Sequence, residues 1–170
     1  MKQALFIGRF QPFHNGHLDV VKQILSENDK ALIVIGSAEQ SHTFANPLTI
    51  DERTEIISTT LEAEGISKEK YELFPINDLN DYENWASYVD DQVPEYQKIY
   101  TGSSIVKHCY GAKRDMIVPI QKNLEISASE VREAMSKDRN WESLVPKTVE
   151  ILLKKWDVSK RIKSTHAPHE

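Results

Sequence analysis

The sequence predicts an α/β fold in which helices cover both faces of a parallel sheet. Two apolar runs, residues 4–7 and 31–36, have the length and composition of buried strands. Segments in which apolar residues recur at helical spacing separate these runs from later strand candidates. Such regular alternation is typical of a doubly wound sheet, so we expect a single Rossmann-like domain over residues 1–170.

Composition excludes several other classes of protein. The chain has 170 residues, of which 39% are hydrophobic, enough for the core of one globular domain. Its formal net charge of -5 argues against a broad nucleic-acid surface. The single cysteine, Cys109, permits no internal disulfide and indicates a reducing compartment. No apolar run is long enough to cross a bilayer, and the first strand leaves no room for a signal peptide. We therefore expect a cytoplasmic protein that binds neither nucleic acid nor membrane.

The other elements follow from local patterns. Further strands are expected at residues 71–76, 98–101 and 116–119. Helices are expected at residues 18–25, 50–64, 84–93, 105–110, 131–137 and 145–156. Two helices begin with a capping box, formed by Thr49 with Glu52 and by Ser127 with Glu130. The last residues, 165–170, are expected to form a frayed polar tail.

The loop at residues 8–17, Gly-Arg-Phe-Gln-Pro-Phe-His-Asn-Gly-His, lies where the first strand ends and the first helix begins. In an α/β sheet that position is the crevice where ligands bind. The start of a helix offers backbone N–H groups and a partial positive charge, both of which suit phosphate. Arg9, His14 and His17 add donors at the same place, so we expect a nucleotide to bind here.

The pair His14-x-x-His17 admits more than one interpretation. Both imidazoles could face one side of the first helical turn and donate to phosphate, and either could be charged near neutral pH. Gly16 between them would let a triphosphate approach the backbone. Two histidines at this spacing could also be zinc ligands, but no further Cys or His cluster completes such a site. They could equally be ordinary surface histidines.

Several motifs together decide between these possibilities. The loop resembles the H-x-G-H signature of the nucleotidyltransferase superfamily, and Ile126-Ser127-Ala128-Ser129 followed by Arg132 resembles its second signature. Residues 35–38, 41–42, 46–53 and 141–146 match motifs typical of the archaeal-type nicotinamide-nucleotide adenylyltransferases. This resemblance covers nearly the whole chain, whereas H-x-G-H alone is shared with cytidylyltransferases, pantetheine-phosphate adenylyltransferases and class I aminoacyl-tRNA synthetases.

The resemblance implies that nicotinamide mononucleotide and ATP are joined to give NAD and pyrophosphate. The attacking phosphate is already anionic, so catalysis reduces to alignment and charge stabilisation. The catalytic residues would be Arg9, His14, His17 and Arg132. ATP contacts are expected from Gly8, Arg9, Phe10, His14, Gly16, His17, Gly102, Ser127, Ser129 and Arg132. Mg2+ would be held mainly by the ATP phosphates, with no protein metal site.

The resemblance also implies contacts to the mononucleotide from Gly36, Ser37, Asp78 and Trp85. In the family, a tryptophan at the position of Trp85 stacks on the cationic nicotinamide ring, a favourable pairing. Trp85 could instead belong only to the buried stripe of its helix, and Asp78 could cap a turn. Ser127 and Ser129 could likewise be caps alone.

The sequence departs from the family pattern in places. Gly102-Ser103-Ser104 stands where relatives commonly have Gly-Asn-Pro, and Ala45 stands where some carry a basic residue. These departures leave the adenine contacts of the first loop open and allow no phosphate contact from Ala45. The alternative functions are an adenylyl- or cytidylyltransferase for phosphopantetheine or flavin mononucleotide, and a sensor that binds NAD or ATP without turnover. Because relatives assemble into hexamers, we also expect a homo-oligomer.

Overall fold

The computed structural model describes residues 1–165, so the predicted tail lies outside them except for Thr165. No described helix has the length and apolar character needed to span a bilayer. The chain divides into two compact units. The first contains Met1–Arg9, Val20–Ala38 and Ser67–Lys122. The second contains Phe10–Asp19, Glu39–Ile66 and the remainder from Asn123.

The first unit contains a sheet of four strands: β1 (Gln3–Gly8), β2 (Lys30–Ile35), β3 (Tyr71–Pro75) and β4 (Lys98–Tyr100). Their order is β3-β2-β1-β4, and all neighbours are parallel. Each strand begins within one residue of its predicted position, because each apolar run is bounded by polar or turn-forming residues. The predicted α/β class and parallel sheet are confirmed.

Helices cover both faces of this sheet within the first unit. On one face Leu5 and Leu32 pack with α3 (Trp85–Asp90) and α4 (Ser104–Cys109) around the buried Val89. The other face presents Phe6 and its register partner Tyr100. The Tyr100 hydroxyl donates to Glu27 at the end of α1 (Asn15–Glu27), at 2.9 Å.

The predicted fifth strand at residues 116–119 is wrong. Gly111–Met116 is a 3-10 helix, and only one bridge follows it, between Ile117 and Ile99. The Val118 N–H donates to the Ile99 carbonyl, and the next residue is Pro119. Met116, the first residue of the predicted strand, belongs to the 3-10 helix, so the segment that could pair is reduced to this one bridge.

The second unit consists of helices: α2 (Ile50–Ala63), α5 (Ala128–Ser136), α6 (Lys147–Lys155) and α7 (Val158–Lys163). Thr49 and Glu52 form the predicted capping box reciprocally. At Ser127 one half of the predicted box is present, since its hydroxyl accepts the Glu130 N–H, but no return bond from Glu130 is found among residues 1–165. The last predicted helix, residues 145–156, corresponds to α6, whereas α7 lies beyond it and was not predicted. Asp157, in a left-handed conformation with φ of 51°, separates the two helices.

Candidate active site

His14 and His17 form a capping box made of imidazoles at the start of α1. His14 immediately precedes the helix, and its carbonyl accepts the Leu18 N–H. Its ring Nδ1 accepts the backbone N–H groups of Gly16 and His17, at 3.0 and 3.3 Å. His17 Nδ1 accepts the His14 N–H at 3.1 Å. Each ring thus performs the task that a hydroxyl and a carboxylate perform in an ordinary capping box.

This hydrogen-bond pattern assigns the tautomer of both rings. A ring nitrogen that accepts a hydrogen bond carries no proton, so the proton of each imidazole lies on Nε2. Burial lowers the pKa of His14 from 6.5 to about 4. Burial, followed by the proximity of His14, lowers the pKa of His17 well below its usual value. The prediction that either ring is charged near neutral pH is wrong, because both are neutral donors there.

Aromatic packing fixes the orientation of His17. Its ring stacks on that of His14, with centroids 3.6 Å apart and planes inclined by 21°. Phe10 meets the same ring edge-on at 4.8 Å, and Phe13 stacks on it at 5.5 Å. Both phenylalanines are buried, and Phe10 has a positive φ of 55°. The Gln11–Pro12 peptide bond between them is cis.

Gly16 is required by the His14 ring itself. A Cβ at this position would lie 2.9 Å from Cε1 and 3.0 Å from Nδ1 of His14. The sequence predicts that this glycine admits a ligand, but its direct role in the fold is to make room for the capping imidazole.

Arg132 lies on α5, and two uncharged oxygen acceptors hold its guanidinium in place. Its Nη1 donates to the Gln11 carbonyl at 2.8 Å, and its Nη2 donates to Ser129 Oγ at 3.1 Å. The guanidinium is buried, with 8% of the residue exposed. Ser129 therefore orients Arg132, while Ser127 caps α5.

Gln11 is a site residue that the sequence analysis missed. It is buried, and its amide donates to the Leu48 carbonyl at 3.0 Å while accepting the Leu48 N–H at 2.9 Å. Its own carbonyl holds Arg132. In the sequence, the only sign of this role is that Gln11 is a polar residue between Phe10 and Pro12. That pattern does not identify Leu48, 37 positions away, as its partner.

The first unit holds the other predicted residues, mostly at the carboxyl ends of its strands. Gly8 ends β1, Gly36 follows β2, and the Gly36 N–H donates to the Gly8 carbonyl at 2.9 Å. Ser37, with a positive φ of 49°, donates its hydroxyl to Asp78 at 2.8 Å. The remaining members are Arg9, Gly102 and Trp85, of which the first two are exposed.

Trp85 has a structural role in the first unit. It begins α3, is partly buried against the core of the first unit, and meets the Tyr110 ring edge-on at 6.1 Å. The interpretation of Trp85 as part of a packed stripe is therefore correct as far as the fold is concerned.

The structure brings the predicted residues together in two groups. Within the second unit, Arg132 bonds the loop that carries Phe10, His14, Gly16 and His17. Ser127 and Ser129 lie at the start of the helix that carries Arg132. Among residues 1–165, no three His, Cys, Asp or Glu side chains are grouped to hold a metal ion.

Comparisons with known proteins identify the family. The cytidylyltransferase-like family model matches residues 5–134. A nicotinamide-nucleotide adenylyltransferase of Thermoplasma volcanium is 40% identical over 99% of this chain and 94% of its own. One of Pyrococcus furiosus is 40% identical over 88% of this chain and 81% of its own. The chain belongs to the nicotinamide-nucleotide adenylyltransferases of the cytidylyltransferase-like family.

Solved structures share the fold of this adenylyltransferase family member. A bifunctional NMN adenylyltransferase/ADP ribose pyrophosphatase of Francisella tularensis, complexed with AMP and a manganese ion, superimposes with a TM-score of 0.76 at 23% identity. The match covers 95% of this chain but 51% of that one, so this chain spans about half of the bifunctional protein. A second structure of the bifunctional protein gives a TM-score of 0.74.

Proposed function

We propose that the chain joins nicotinamide mononucleotide and ATP to give NAD and pyrophosphate. Relatives of that name align with it at about 40% identity over nearly its whole length. The structural observation that carries the proposal is the imidazole capping box, whose two neutral Nε2–H donors belong to the same loop that Arg132 bonds through the Gln11 carbonyl. That arrangement suits the phosphates of a nucleotide.

The chemistry asks for alignment and charge stabilisation. A phosphate oxygen of the mononucleotide attacks the α-phosphorus of ATP, and the bond from that phosphorus to the bridging oxygen breaks as pyrophosphate leaves. The attacking oxygen is already ionised, so no general base is needed. Negative charge grows on the leaving group, and the Nε2–H groups of His14 and His17 would donate to its oxygens. The guanidinium groups of Arg132 and Arg9 would supply positive charge.

Neutral imidazoles suit this task. Because their Nδ1 atoms are occupied by backbone N–H groups, the rings cannot rotate or change tautomer without breaking the start of α1. Their donors are therefore preorganised before the substrate binds. We further propose Gly8, Phe10, Gly16, Gly102, Ser127 and Ser129 as the other ATP contacts.

We propose that Mg2+ enters with ATP. Since residues 1–165 contain no cluster of metal-ligating side chains, phosphate oxygens and water would coordinate it. The magnesium–ATP complex is then the substrate. It would neutralise part of the triphosphate charge.

The mononucleotide is assigned to residues of the first unit. Trp85 would stack on the cationic nicotinamide ring, and Asp78, held by Ser37, would accept a hydrogen bond from its carboxamide. Gly36 lies next to Ser37, and we propose it as a further contact to the mononucleotide. We also propose that residues 1–170 act as one nucleotidyltransferase domain within a cytoplasmic homo-oligomer.

The test is pyrophosphate release with ATP and Mg2+. Four acceptors are compared: nicotinamide mononucleotide, its acid form, phosphopantetheine and flavin mononucleotide. His17→Ala should lose most of the rate, and His108→Ala, at an exposed histidine of α4, should retain it. Release with phosphopantetheine or flavin mononucleotide alone would contradict the substrate assignment. If the protein binds the nucleotides but releases no pyrophosphate with any acceptor, the protein is a nucleotide sensor and not an enzyme.

A further inference from the structure

The helix that carries Trp85 cannot hold its own position. α3 contains six residues, and Asn84 at its start makes no side-chain capping hydrogen bond. Helices this short are not stable by themselves in water. The orientation of Trp85 must therefore come from side chains that pack against α3 within the first unit.

Tyr110 contacts both ends of this helix. Its ring meets the indole of Trp85, the first residue of α3, edge-on, with planes at 86° and centroids 6.1 Å apart. Its hydroxyl donates to Asp90, the last residue of α3, at 3.1 Å. Tyr110 is 1% exposed, so its own ring and hydroxyl are shielded from water. One buried side chain thus spans the helix from end to end.

Asp90 is itself anchored by two further groups. The Tyr96 hydroxyl donates to the same carboxylate oxygen as Tyr110, at 2.7 Å, and Lys113 Nζ donates to the other oxygen at 2.6 Å. Lys113 also lies over the Tyr96 ring, 5.1 Å from its centroid. Burial, followed by the charges of Tyr96 and Asp90, raises the pKa of Tyr110, so its hydroxyl stays a donor. Tyr96 and Tyr110 are buried, and a polar network whose buried members are partnered in this way specifies one arrangement.

We propose that Tyr110 is a positioning residue for the mononucleotide site, fixing the plane of the Trp85 indole through its ring and the position of α3 through Asp90. This inference rests on the proposed function, in which Trp85 stacks on the nicotinamide. Stacking depends on the orientation of the indole face, and an edge-on neighbour restricts that orientation. Tyr110 itself is not assigned a contact with either substrate.

The KM values of two variants separate the effect of the Tyr110 ring from the effect of its hydroxyl. Tyr110→Leu removes both, and the KM for nicotinamide mononucleotide should rise about tenfold, the effect of losing one aromatic pair. Tyr110→Phe keeps the ring against Trp85 and should give a smaller rise. The KM for ATP should stay within about twofold in both variants.

Tyr96→Phe is the matched control. It removes the other tyrosine hydroxyl from the same oxygen of Asp90, but no aromatic contact joins Tyr96 to Trp85 among those described for residues 1–165. Its KM for the mononucleotide should rise no more than that of Tyr110→Phe, which also loses one hydroxyl bond to Asp90 and keeps the ring against Trp85. An equal rise in Tyr96→Phe and Tyr110→Leu would overturn the proposal, because general loosening of α3 would then explain both. An unchanged KM in Tyr110→Leu would also overturn it.

A spectroscopic readout tests positioning without turnover. With 5-fluorotryptophan at the three tryptophans, the 19F signal of Trp85 is identified by its loss in Trp85→Phe. Tyr110→Leu should shift or broaden this signal, and Tyr96→Phe should leave it in place. An unmoved signal in Tyr110→Leu contradicts the proposal.

Failure of the proposed function can be distinguished from failure of the positioning role of Tyr110. If the wild type releases no pyrophosphate with nicotinamide mononucleotide, the proposed function is wrong and this inference falls with it. If the wild type turns over but Trp85→Leu leaves the KM for the mononucleotide unchanged, the function stands and only the inference is overturned.

Discussion

His14 and His17 each accept the backbone N–H of the other through ring Nδ1, at 3.3 and 3.1 Å, while their rings stack at 3.6 Å. The two side chains are therefore one structural unit, and removing either disturbs the other. It follows that an alanine substitution at this site removes a helix cap and a substrate donor together. The choice of substitution decides which effect a measurement reports.

His17→Gln separates these effects. Glutamine at the third helical position can accept the N–H of the preceding cap, as in an ordinary capping box, but it lacks the imidazole Nε2–H. We expect His17→Ala and His17→Gln both to lose about 100-fold or more in pyrophosphate release, the usual cost of one oxyanion donor. Urea unfolding should show a loss of about 1 kcal/mol in His17→Ala and a smaller loss in His17→Gln. If His17→Gln retained wild-type turnover, His17 would be a cap alone.

Stability should fall in mild acid because of the same pair. The pKa of His14 is about 4 in the folded protein against 6.5 as the reference value. The unfolded chain therefore binds a proton in this range that the folded protein does not, and stability declines as the pH falls below 6.5. From pH 7.5 to pH 5, His14 alone should lower the free energy of unfolding by about 2 kcal/mol.

His14→Asn tests that pH dependence. Asparagine is a good helix cap that does not titrate, so the loss between pH 7.5 and pH 5 should become smaller. The measurement is urea unfolding at each pH, kept above the range in which most carboxylates protonate. An identical pH profile in the variant and the wild type would show that His14 is not neutral in the folded protein.

Most of the fold followed from local patterns, and the exceptions have physical causes. The four confirmed strands are apolar runs whose boundaries are local. The fifth failed because Met116 ends a 3-10 helix, which leaves a single bridge between Ile117 and Ile99. The helix α7 was not predicted, because six residues are too few to show a helical period in the sequence.

The site was predicted by motif, but its electrostatics were not. The spacing of His14 and His17 places them at a helix start, whereas their neutral state depends on burial and on reciprocal Nδ1 bonds. Those features exist only in the folded chain. Gln11 was missed for a similar reason, since its pairing with Leu48 joins distant segments.

The ion pair between Glu52 and Arg161 should stabilise the second unit. Arg161 donates to both carboxylate oxygens, at 2.6 and 2.9 Å, and to the Pro47 carbonyl at 3.0 Å. The side chains are 19% and 15% exposed, so water screens the pair only partly. Glu52→Ala, which also removes the capping box with Thr49, should cost about 2–4 kcal/mol in urea unfolding.

Two variants define the contributions of this pair. Glu52→Gln keeps the capping box and should cost less than Glu52→Ala. Glu133→Gln breaks the exposed pair with Lys137 and should give no measurable change. Burial alone would raise the pKa of Glu52, but the hydrogen bonds from Arg161 and Thr49 and the charge of Arg161 together lower it in the folded protein. Its contribution is therefore present above the ordinary glutamate pKa and lost as the pH falls below it. Equal losses in Glu52→Ala and Glu133→Gln would refute this account.

Gly16→Ala should damage catalysis by displacing the His14 ring. The added methyl group would lie 2.9 Å from Cε1 of that ring, closer than real contacts allow, and the ring is held by its bonds to backbone N–H groups. Either the ring or the loop must move, so the aligned donors are lost and pyrophosphate release should fall about 10-fold or more. Gly111→Ala is the control, because a Cβ there would meet no atom within 4 Å and Gly111 is exposed. Its turnover should match the wild type. Unchanged turnover in Gly16→Ala, with the 1H chemical shifts of the His14 ring also unchanged, would show that the loop accommodates the methyl group without cost.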